Sequence, residues 1–294
     1  MRRELLTKST YPGPVEPLCT WSQSRGGYPR RVAKRRLDAL LADRGLYESR
    51  SRAAAAVIAG EVRLAPGGQV ADKPGRMVAD DVGVKVAERP QYVSRGGTKL
   101  ANALDAFGLD VTGRRALDAG ASTGGFTDCL LQRGAEAVVA ADVAYGELHW
   151  SMRQDERVTV LERTNVKELD PALLPWAPDL IVADLSFISL HKVLPALMGA
   201  ATPVFDCLTM IKPQFEVGRA KVGKGGVVRD PALRREALVS VGAAALELGA
   251  SVMGYASSGL PGPKGNRESF VWLAEAGRPG AVHDLDQAVL RAEP

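Results

Sequence analysis

Four ionisable side chains from separate parts of the sequence could together activate a hydroxyl group as a nucleophile. Asp184 ends one run of apolar residues, Lys212 ends the next, and Glu268 precedes a third. Lys99 lies upstream, on a segment with helical spacing of apolar residues. In an open α/β sheet the carboxyl ends of the strands share one rim, so we expect these side chains to converge there. Glu268 joins them only if its strand runs antiparallel.

The chemistry that such a set favours is proton removal from a weakly acidic hydroxyl, such as that of a ribose. A base can take the proton, or ammonium groups can stabilise the developing alkoxide. We assign Lys212 to one of these two roles, with Asp184 and Glu268 orienting the lysines. Lys99 would steer the hydroxyl or tune Lys212. A salt-bridge cluster that only pins the edge of the sheet is the alternative interpretation.

A small-residue loop between Leu117 and Thr127 predicts a nucleoside cofactor. A strand ends there in an acid, and a helix begins at the glycines, where free backbone N–H groups and close approach favour a ligand. The spacing is not the Gly-x-Gly-x-x-Gly of nicotinamide-binding proteins, which counts against a dehydrogenase. The pattern looks like the S-adenosylmethionine site of class I methyltransferases, and it requires no metal. The predicted contacts from this loop are Asp118, Gly120, Ser122, Thr123, Gly124, Gly125 and Phe126.

Two further side chains follow the next strands of the predicted sheet. Asp142 ends the second strand, where a doubly wound fold places a carboxylate for ribose hydroxyls. Asn165 follows the third strand, where the adenine edge would lie, and Asp184 is expected to contact both cofactor and acceptor. Strand-terminal acids that merely face solvent would explain each acid alone, but not both acids together with the loop.

Other methyl acceptors fit this sequence less well. Methyltransferases that act on amino groups typically carry Asn/Asp-Pro-Pro-Tyr where this chain has Asp184-Leu185-Ser186-Phe187. Methylation of a base carbon would need a cysteine nucleophile on the rim. Cys129 lies in an apolar helix and Cys207 lies in the middle of a strand, so we predict that both are core residues.

The elements that must position these residues alternate between strands and helices. Seven strands with intervening helices predict a doubly wound α/β fold with a mostly parallel sheet. The resemblance of the loop between Leu117 and Thr127 to a class I methyltransferase site implies the Rossmann-like fold of that class. No helix separates the sixth and seventh strands, so the last strand should be antiparallel. We place this domain at residues 98–277, with a tail at 278–294. The predicted strands are Ala116–Ala119, Ala137–Val143, Val158–Glu162, Asp179–Ala183, Val204–Ile211, Ser251–Ala256 and Phe270–Ala274.

A smaller α+β unit precedes that domain, at residues 32–88. Apolar residues at helical spacing predict two short helices, with Ser49 as the N-cap of the second. Short β-like runs follow between turns rich in Gly and Pro. We interpret residues 89–97 as a linker and residues 1–31 as a disordered extension. The first unit is rich in Arg and Lys, which favours either a solvated face or a phosphate-binding surface.

Composition limits the remaining function classes. The formal net charge is +4, and the three cysteines show no paired spacing. An odd cysteine count without a secretory signal favours a reduced, cytoplasmic protein. No apolar stretch approaches the ~18 residues of a membrane span, so we expect no membrane partner. We expect a monomer. A membrane-lytic protein and a non-enzymatic RNA-binding assembly factor are the competing hypotheses.

Several motifs together resemble a known family. The segment from Arg36 to Val62 resembles the small RNA-binding module named after a small-subunit ribosomal protein. With the motifs at Ser94–Leu100, Asp118–Thr127, Ala183–Leu190 and Lys212–Gly218, the chain resembles the TlyA family. Its members are ribosomal RNA cytidine-2′-O-methyltransferases, often labelled hemolysin A, with an FtsJ/RrmJ-like catalytic domain.

The resemblance implies a Lys–Asp–Lys–Glu tetrad at Lys99, Asp184, Lys212 and Glu268. It also implies ribosomal RNA in small or large ribosomal subunits, or in both, as the substrate. Arginines and lysines of the first unit and around the cleft are the expected RNA contacts. These are Arg35, Arg36, Arg50, Arg52, Arg95, Arg219 and Lys221.

Overall fold

The computed structural model describes residues 33–86 and 90–293. The disordered extension predicted for residues 1–31 therefore lies outside the described residues. Contacts within the chain divide it into two compact units, with the boundary after residue 88. Among the described residues, no helix is long and apolar enough to cross a membrane.

The first unit is a small α+β domain. Its helices pack through the buried Leu37, Leu40, Ala53 and Val57. Ser49 caps the second helix as predicted, because its side chain accepts a hydrogen bond from the N–H of Arg52. Strands β1 and β3 were not predicted, since each is only two or three residues long. The elements are β1 Lys34–Arg36, α1 Leu37–Asp43, α2 Arg50–Ile58, β2 Val62–Leu64, β3 Gln69–Val70, β4 Met77–Ala79 and β5 Val84–Val86.

These short strands form two sheets. β1 pairs antiparallel with β4, and β2 lies between β3 and β5 with antiparallel pairing on both sides. The buried Val62 and Leu64 alternate with the exposed Arg63, which is the pattern of a strand with one face on a core.

The second unit begins with α3 and contains seven longer strands. Its elements are α3 Arg95–Phe107, β6 Arg115–Ala119, α4 Gly125–Gln132, β7 Ala137–Ala141, α5 Trp150–Arg153, β8 Val158–Leu161, β9 Leu180–Ala183, α6 Leu194–Ala200, β10 Asp206–Ile211, α7 Pro213–Glu216, α8 Pro231–Glu247, β11 Ser251–Ser257, β12 Ser269–Ala274 and α9 Leu285–Ala292. Short 3₁₀ turns occur at Val166–Glu168, Pro171–Leu173, Leu190–Lys192 and Arg219–Lys221.

The sheet of this unit has the strand order β11-β12-β10-β9-β6-β7-β8. β10, β9, β6, β7 and β8 pair in parallel, whereas β12 is antiparallel to both β10 and β11. The predicted seven-stranded α/β sheet with an antiparallel last strand is therefore confirmed. The absence of a helix between the last two strands was the signal, because a parallel pair needs a crossover connection.

Helices cover both faces of the sheet. Alternate residues of the central strands feed two buried clusters: Leu117 faces one and its neighbour Ala116 the other. Helices α3, α4 and α5 contribute to the second cluster, for example through Leu104 and Leu130. Helices α6, α8 and α9 contribute to the first. The central strands β6, β7, β9 and β10 are buried on both sides, as expected for a parallel sheet.

Two predicted boundaries need correction. Most of the predicted linker belongs to the second unit, because Tyr92 is buried and the N–H of Val93 donates a 2.8 Å hydrogen bond to the Asp128 carboxylate. Helix α3 already begins at Arg95. The predicted tail also belongs to this unit: α9 packs through the buried Val289. The linker carries few apolar residues. The tail is short as well, although Leu285, Ala288 and Val289 recur at the spacing of one helix face.

Candidate active site

One rim of the large sheet collects the predicted catalytic residues. Asp184 directly follows β9, and Lys212 directly follows β10. Glu268 directly precedes β12, whose Ser269 pairs with Ile211 in antiparallel register. Glu268 and Lys212 therefore leave neighbouring strands at the same edge, as the antiparallel seventh strand required.

The four side chains form two ion pairs. The Nζ of Lys212 lies 2.6 Å from Oδ1 of Asp184 and donates a 2.9 Å hydrogen bond to Oγ of Ser186. Lys99 and Glu268 form the second pair, with side chains that are 8% and 2% exposed. All four residues line one cleft of about 460 Å³. The arrangement offers two ammonium groups, each held by a carboxylate, to a ligand in that cleft.

Close backbone packing brings Lys99 to this cleft. Ser94 caps α3 by accepting a hydrogen bond from the N–H of Gly96. A Cβ on Gly97 would lie 2.7 Å from a ring carbon of Tyr92, and one on Gly125 would lie 2.9 Å from the amide nitrogen of Gly97. Because these positions have no side chain, the first turns of α3 and α4 can touch, and Lys99 follows one turn later.

The loop after β6 is held in shape by its own backbone and by Asp142. Gly120 has φ +85°, and a Cβ there would lie 2.8 Å from the carbonyl oxygen of Asp184. Ser122 has φ +45°, and its N–H donates a 2.8 Å hydrogen bond to Oδ2 of Asp142. The other carboxylate oxygen accepts from the N–H of Ala144 at 2.8 Å. Asp142 thus joins the loop after β6 to the loop after β7.

Asp118 does not reach the cleft. Its side chain is fully buried, and Oδ2 accepts hydrogen bonds from the N–H of Thr127 at 2.9 Å and from its hydroxyl at 2.6 Å. Burial raises the pKa of Asp118 to about 7. The prediction of a direct cofactor contact is therefore corrected. Asp118 fixes the start of α4, because its carboxyl group satisfies an N–H of the first helical turn.

The predicted cofactor residues line two adjoining clefts. Asp184 and Ser186 border both, so the clefts meet beside the Lys212 ion pair. Gly124 borders neither, because it packs against Leu148 and Met152. The first cleft, of about 430 Å³, includes Gly120, Ser122, Thr123, Gly125 and Phe126. The second, of about 480 Å³, includes Asp142, Asn165 and Glu147.

Sequence reasoning missed several residues at this rim. Ser186 accepts a hydrogen bond from the Lys212 ammonium group, which also pairs with Asp184. Glu147 accepts a 3.3 Å hydrogen bond from the Ser122 hydroxyl. Phe187 is 91% exposed at φ +64°, with its ring centroid 5.3 Å from that of Phe215. An aromatic residue one position after Ser186 was visible in the sequence, but nothing in the pattern indicated that it would face solvent.

Glu216 links the loops that carry Asp184 and Lys212. Its carboxylate accepts a 2.6 Å hydrogen bond from the Ser189 hydroxyl and a 3.0 Å bond from the N–H of Leu190. Glu216 ends the short helix that begins just after Lys212. The contact therefore links the loop after β9 to the helix after β10, the two segments that follow Asp184 and Lys212.

The predicted RNA-binding residues of the second unit differ in surroundings. Arg95 lines the first of the two adjoining clefts and donates a 2.8 Å hydrogen bond to the carbonyl oxygen of Pro261. Arg219 lines a neighbouring groove, and Lys221 pairs with Glu236 at 2.5 Å.

The predicted RNA-binding residues of the first unit are exposed on its surface. Arg35 pairs with Asp43 and Asp80, whereas Arg36 and Arg50 both pair with Asp38. The hydrogen bond from Arg36 contributes most to lowering the pKa of Asp38 to about 2. Arg52 is exposed as well. The cations at the ends of α1 and α2 are therefore held in place by a buried carboxylate.

Neither described cysteine is a nucleophile at the rim. Burial raises the pKa of Cys129 to about 11 and that of Cys207 to about 12. The prediction that both are core residues is confirmed. Within the described ranges, no group of three or more His, Cys, Asp or Glu side chains could hold a metal ion.

The sequence and the fold are similar to those of known methyltransferases and of proteins named hemolysins. The model of the family described as FtsJ-like methyltransferase matches residues 92–275. The 16S/23S rRNA (cytidine-2′-O)-methyltransferase TlyA of Mycobacterium tuberculosis is 51% identical over 258 residues, covering 87% of this chain and 96% of that protein. Hemolysin A of Brachyspira hyodysenteriae is 38% identical, with 79% of this chain and 97% of that protein covered.

A solved structure supports the same grouping. It is described as "Putative hemolysin from Streptococcus thermophilus" and is 37% identical in sequence. The match has a TM-score of 0.65 and covers 88% of this chain and 96% of that one.

Proposed function

This chain belongs to the TlyA family of FtsJ-like methyltransferases, and we propose that it transfers a methyl group from S-adenosylmethionine to a ribose 2′-hydroxyl of ribosomal RNA. Cytidine is the proposed acceptor, as in the name of the mycobacterial relative. The observation that carries the proposal is the Lys212–Asp184 pair, which lies where the cofactor clefts and the catalytic cleft meet.

The residues present fit a nucleoside cofactor with a charged amino-acid end. Gly120 lets the backbone pass close to Asp184, and the start of α4 offers N–H groups beside the cleft. Asp142 keeps lone pairs for ribose hydroxyls although each of its oxygens accepts one backbone hydrogen bond. Asn165 lines the second cleft together with Asp142, and it is the proposed contact for the adenine edge. We therefore assign these residues to S-adenosylmethionine.

The bound cofactor would supply an electrophilic methyl group on a sulfonium. The chain's own task is to make the ribose oxygen nucleophilic and to hold it in line. Lys212 is the residue that would activate the ribose oxygen, because its ammonium group is anchored by Asp184 and Ser186 at the cleft surface. A group held by two partners loses little conformational freedom when it meets the ribose hydroxyl. This positioning favours either proton transfer from the hydroxyl or stabilisation of the alkoxide that forms.

Lys99 and Glu268 have a different place in the reaction. Their ion pair is buried beside the same cleft, so the Lys99 charge acts in a site from which much water is excluded. A cation in such surroundings stabilises negative charge on the acceptor oxygen more strongly than it would in water. Glu268 holds that cation in position and compensates it in the absence of substrate.

The experiment for this proposal is methyl transfer from labelled S-adenosylmethionine to purified small and large ribosomal subunits that lack the modification. We expect label in ribosomal RNA of one or both subunits, at a cytidine that becomes resistant to alkaline cleavage. Label on a base, label in protein, or no incorporation with either subunit would refute it. Binding of S-adenosylmethionine by calorimetry, measured on the same preparation, separates a missing cofactor from a wrong acceptor.

A further inference from the structure

A second groove opens beside the catalytic cleft and has no assigned role. Its volume is about 770 Å³, within the ~300–1,000 Å³ range of ligand sites. It shares Phe187, Gln214 and Phe215 with the catalytic cleft, so the two are continuous. An extended ligand that places one of its units at Lys212 would therefore continue into this groove.

The charges along the groove have one sign. Lys167, Lys192 and Arg219 line it, and its lining includes no Asp or Glu side chain. In the part of the chain that the structure describes, Lys192 and Arg219 form no ion pair, and Lys167 approaches Glu168 only to 3.8 Å. Lys192 and Arg219 therefore keep their full charge for a ligand, and Lys167 is held only by an exposed carboxylate at 3.8 Å. Phosphates are the ligand chemistry that such a set of cations matches.

The wall between the groove and the catalytic cleft is aromatic. Phe187 projects into solvent with 91% of its surface exposed, and its ring centroid lies 5.3 Å from that of Phe215. Exposing a phenyl ring costs free energy unless a ligand covers it, and every nucleobase has a π-face that can do so. Cations and aromatic rings together are the surface that single-stranded nucleic acid requires.

The groove also contains an unsatisfied polar atom. Oε1 of Gln214 is buried and has no hydrogen-bond partner among the described residues. Gln214 lies two residues after Lys212 and borders both the groove and the catalytic cleft. A buried amide oxygen is stabilised by a donor, and a ribose 2′-hydroxyl or a base amino group can supply one.

We propose that this groove binds the nucleotide next to the methyl acceptor on the same RNA strand. The proposal rests on the proposed function, because the acceptor ribose must be at Lys212. The cations along the groove would neutralise the flanking phosphates, Phe215 would contact the flanking base, and Gln214 would accept a hydrogen bond from the flanking nucleotide. The acceptor region is then bound as an unpaired strand, since a duplex presents no free base face to an aromatic ring.

The test uses the full-length protein, unmodified ribosomal subunits and labelled S-adenosylmethionine. Lys192→Glu should raise KM for the subunits by roughly fivefold to tenfold at low salt with little change in kcat, because a lost phosphate contact weakens binding and not the chemical step. The slope of log KM against log salt should fall by about one for this variant. Phe215→Leu should raise KM without changing that slope, because stacking carries no charge.

Arg291→Glu is the matched control. Arg291 is an exposed cation on α9 of the same domain and lines none of the clefts described above, so its reversal changes net charge equally. If Arg291→Glu raises KM as much as Lys192→Glu does, the effect is overall charge and the groove proposal is wrong. If Lys192→Glu and Phe215→Leu both keep wild-type KM, the groove does not bind RNA.

The proposed function and the groove are tested by different results of the same assay. Wild-type protein that methylates ribosomal RNA while the groove variants behave normally refutes only the groove. Wild-type protein that methylates no RNA refutes the function itself. A photoreactive 4-thiouridine placed beside the mapped acceptor should cross-link to Phe215 or Lys192, and cross-links confined to other surfaces would overturn the proposal even if KM changed.

Discussion

Lys99 of α3 and Glu268 at the start of β12 form an ion pair whose side chains are almost completely buried, although 169 residues separate them in the sequence. Such a pair gains attraction but loses hydration, so it is weak evidence for stability by itself. Both residues line the cleft that also holds Asp184 and Lys212, and in the proposed reaction their burial would keep a cation close to the acceptor oxygen.

The first prediction separates stability from catalysis at this pair. Glu268→Gln should destabilise the fold by about 3–5 kcal/mol, since it leaves the Lys99 charge buried without a partner. The double variant Lys99→Met, Glu268→Leu should recover most of that loss and still lack methyl transfer. Urea unfolding and the subunit assay check both parts. A double variant with wild-type activity would show that the pair is only structural.

The second prediction concerns Lys212. Lys212→Met should lower kcat by about 10²–10⁴-fold, the usual contribution of a positioned proton-transfer group. Binding of S-adenosylmethionine, followed by calorimetry, should change less than kcat, because Lys212 is only one of the residues that line the cleft and the loop after β6 with the start of α4 supplies the largest group of them. Lys212→Arg keeps the charge without a group that can take a proton. Activity retained by Lys212→Arg would favour alkoxide stabilisation over general base catalysis.

The third prediction concerns the pH dependence of stability. Burial raises the pKa of Asp118 to about 7, above its ordinary value, so the folded state binds a proton that the unfolded state has already released between about pH 4 and pH 7. The contribution of Asp118 to the free energy of unfolding should therefore fall as pH rises through this range. Asp118→Asn keeps an acceptor for Thr127 and cannot ionise, so its stability should fall less steeply. Parallel slopes from pH 5 to pH 8 would contradict the assignment.

Much of this fold could be predicted from local sequence patterns, such as apolar runs and turn residues. Seven apolar runs with turn signals located the strands, and a missing crossover helix identified the antiparallel β12, which put Glu268 on the catalytic rim. The role of Asp118 could not be predicted, since an acid at a strand end looks the same whether it faces a ligand or caps a helix. Of the groove cations, Arg219 was among the predicted RNA contacts, whereas Lys167 and Lys192 were missed. Those two lie far apart in the sequence and line one groove only because the segments that carry them pack together.

The fourth prediction tests whether Glu216 is a positioning residue. Glu216→Ala should free the Ser189–Leu190 turn and lower kcat by roughly tenfold with less effect on KM, because Asp184 and Lys212 would no longer be held at a fixed spacing. Glu216→Gln retains one acceptor oxygen and should restore part of the activity. If both variants lose the same amount of folding stability and keep the wild-type kcat, Glu216 has no part in positioning Asp184 and Lys212.

The last prediction concerns the contact between α3 and α4. Gly125→Ala should destabilise the fold by about 1–3 kcal/mol, because its Cβ would overlap the Ser94 side chain and lie 2.9 Å from the amide nitrogen of Gly97. Any relaxation must move α3, so the surviving folded protein should also lose kcat through a displaced Lys99. Gly199→Ala in α6 is the control, since nothing lies within 4 Å of its Cβ, and it should be neutral or stabilising by about 0.4–1 kcal/mol. Equal effects of the two substitutions on melting temperature and turnover would show that α3 is not held by this contact.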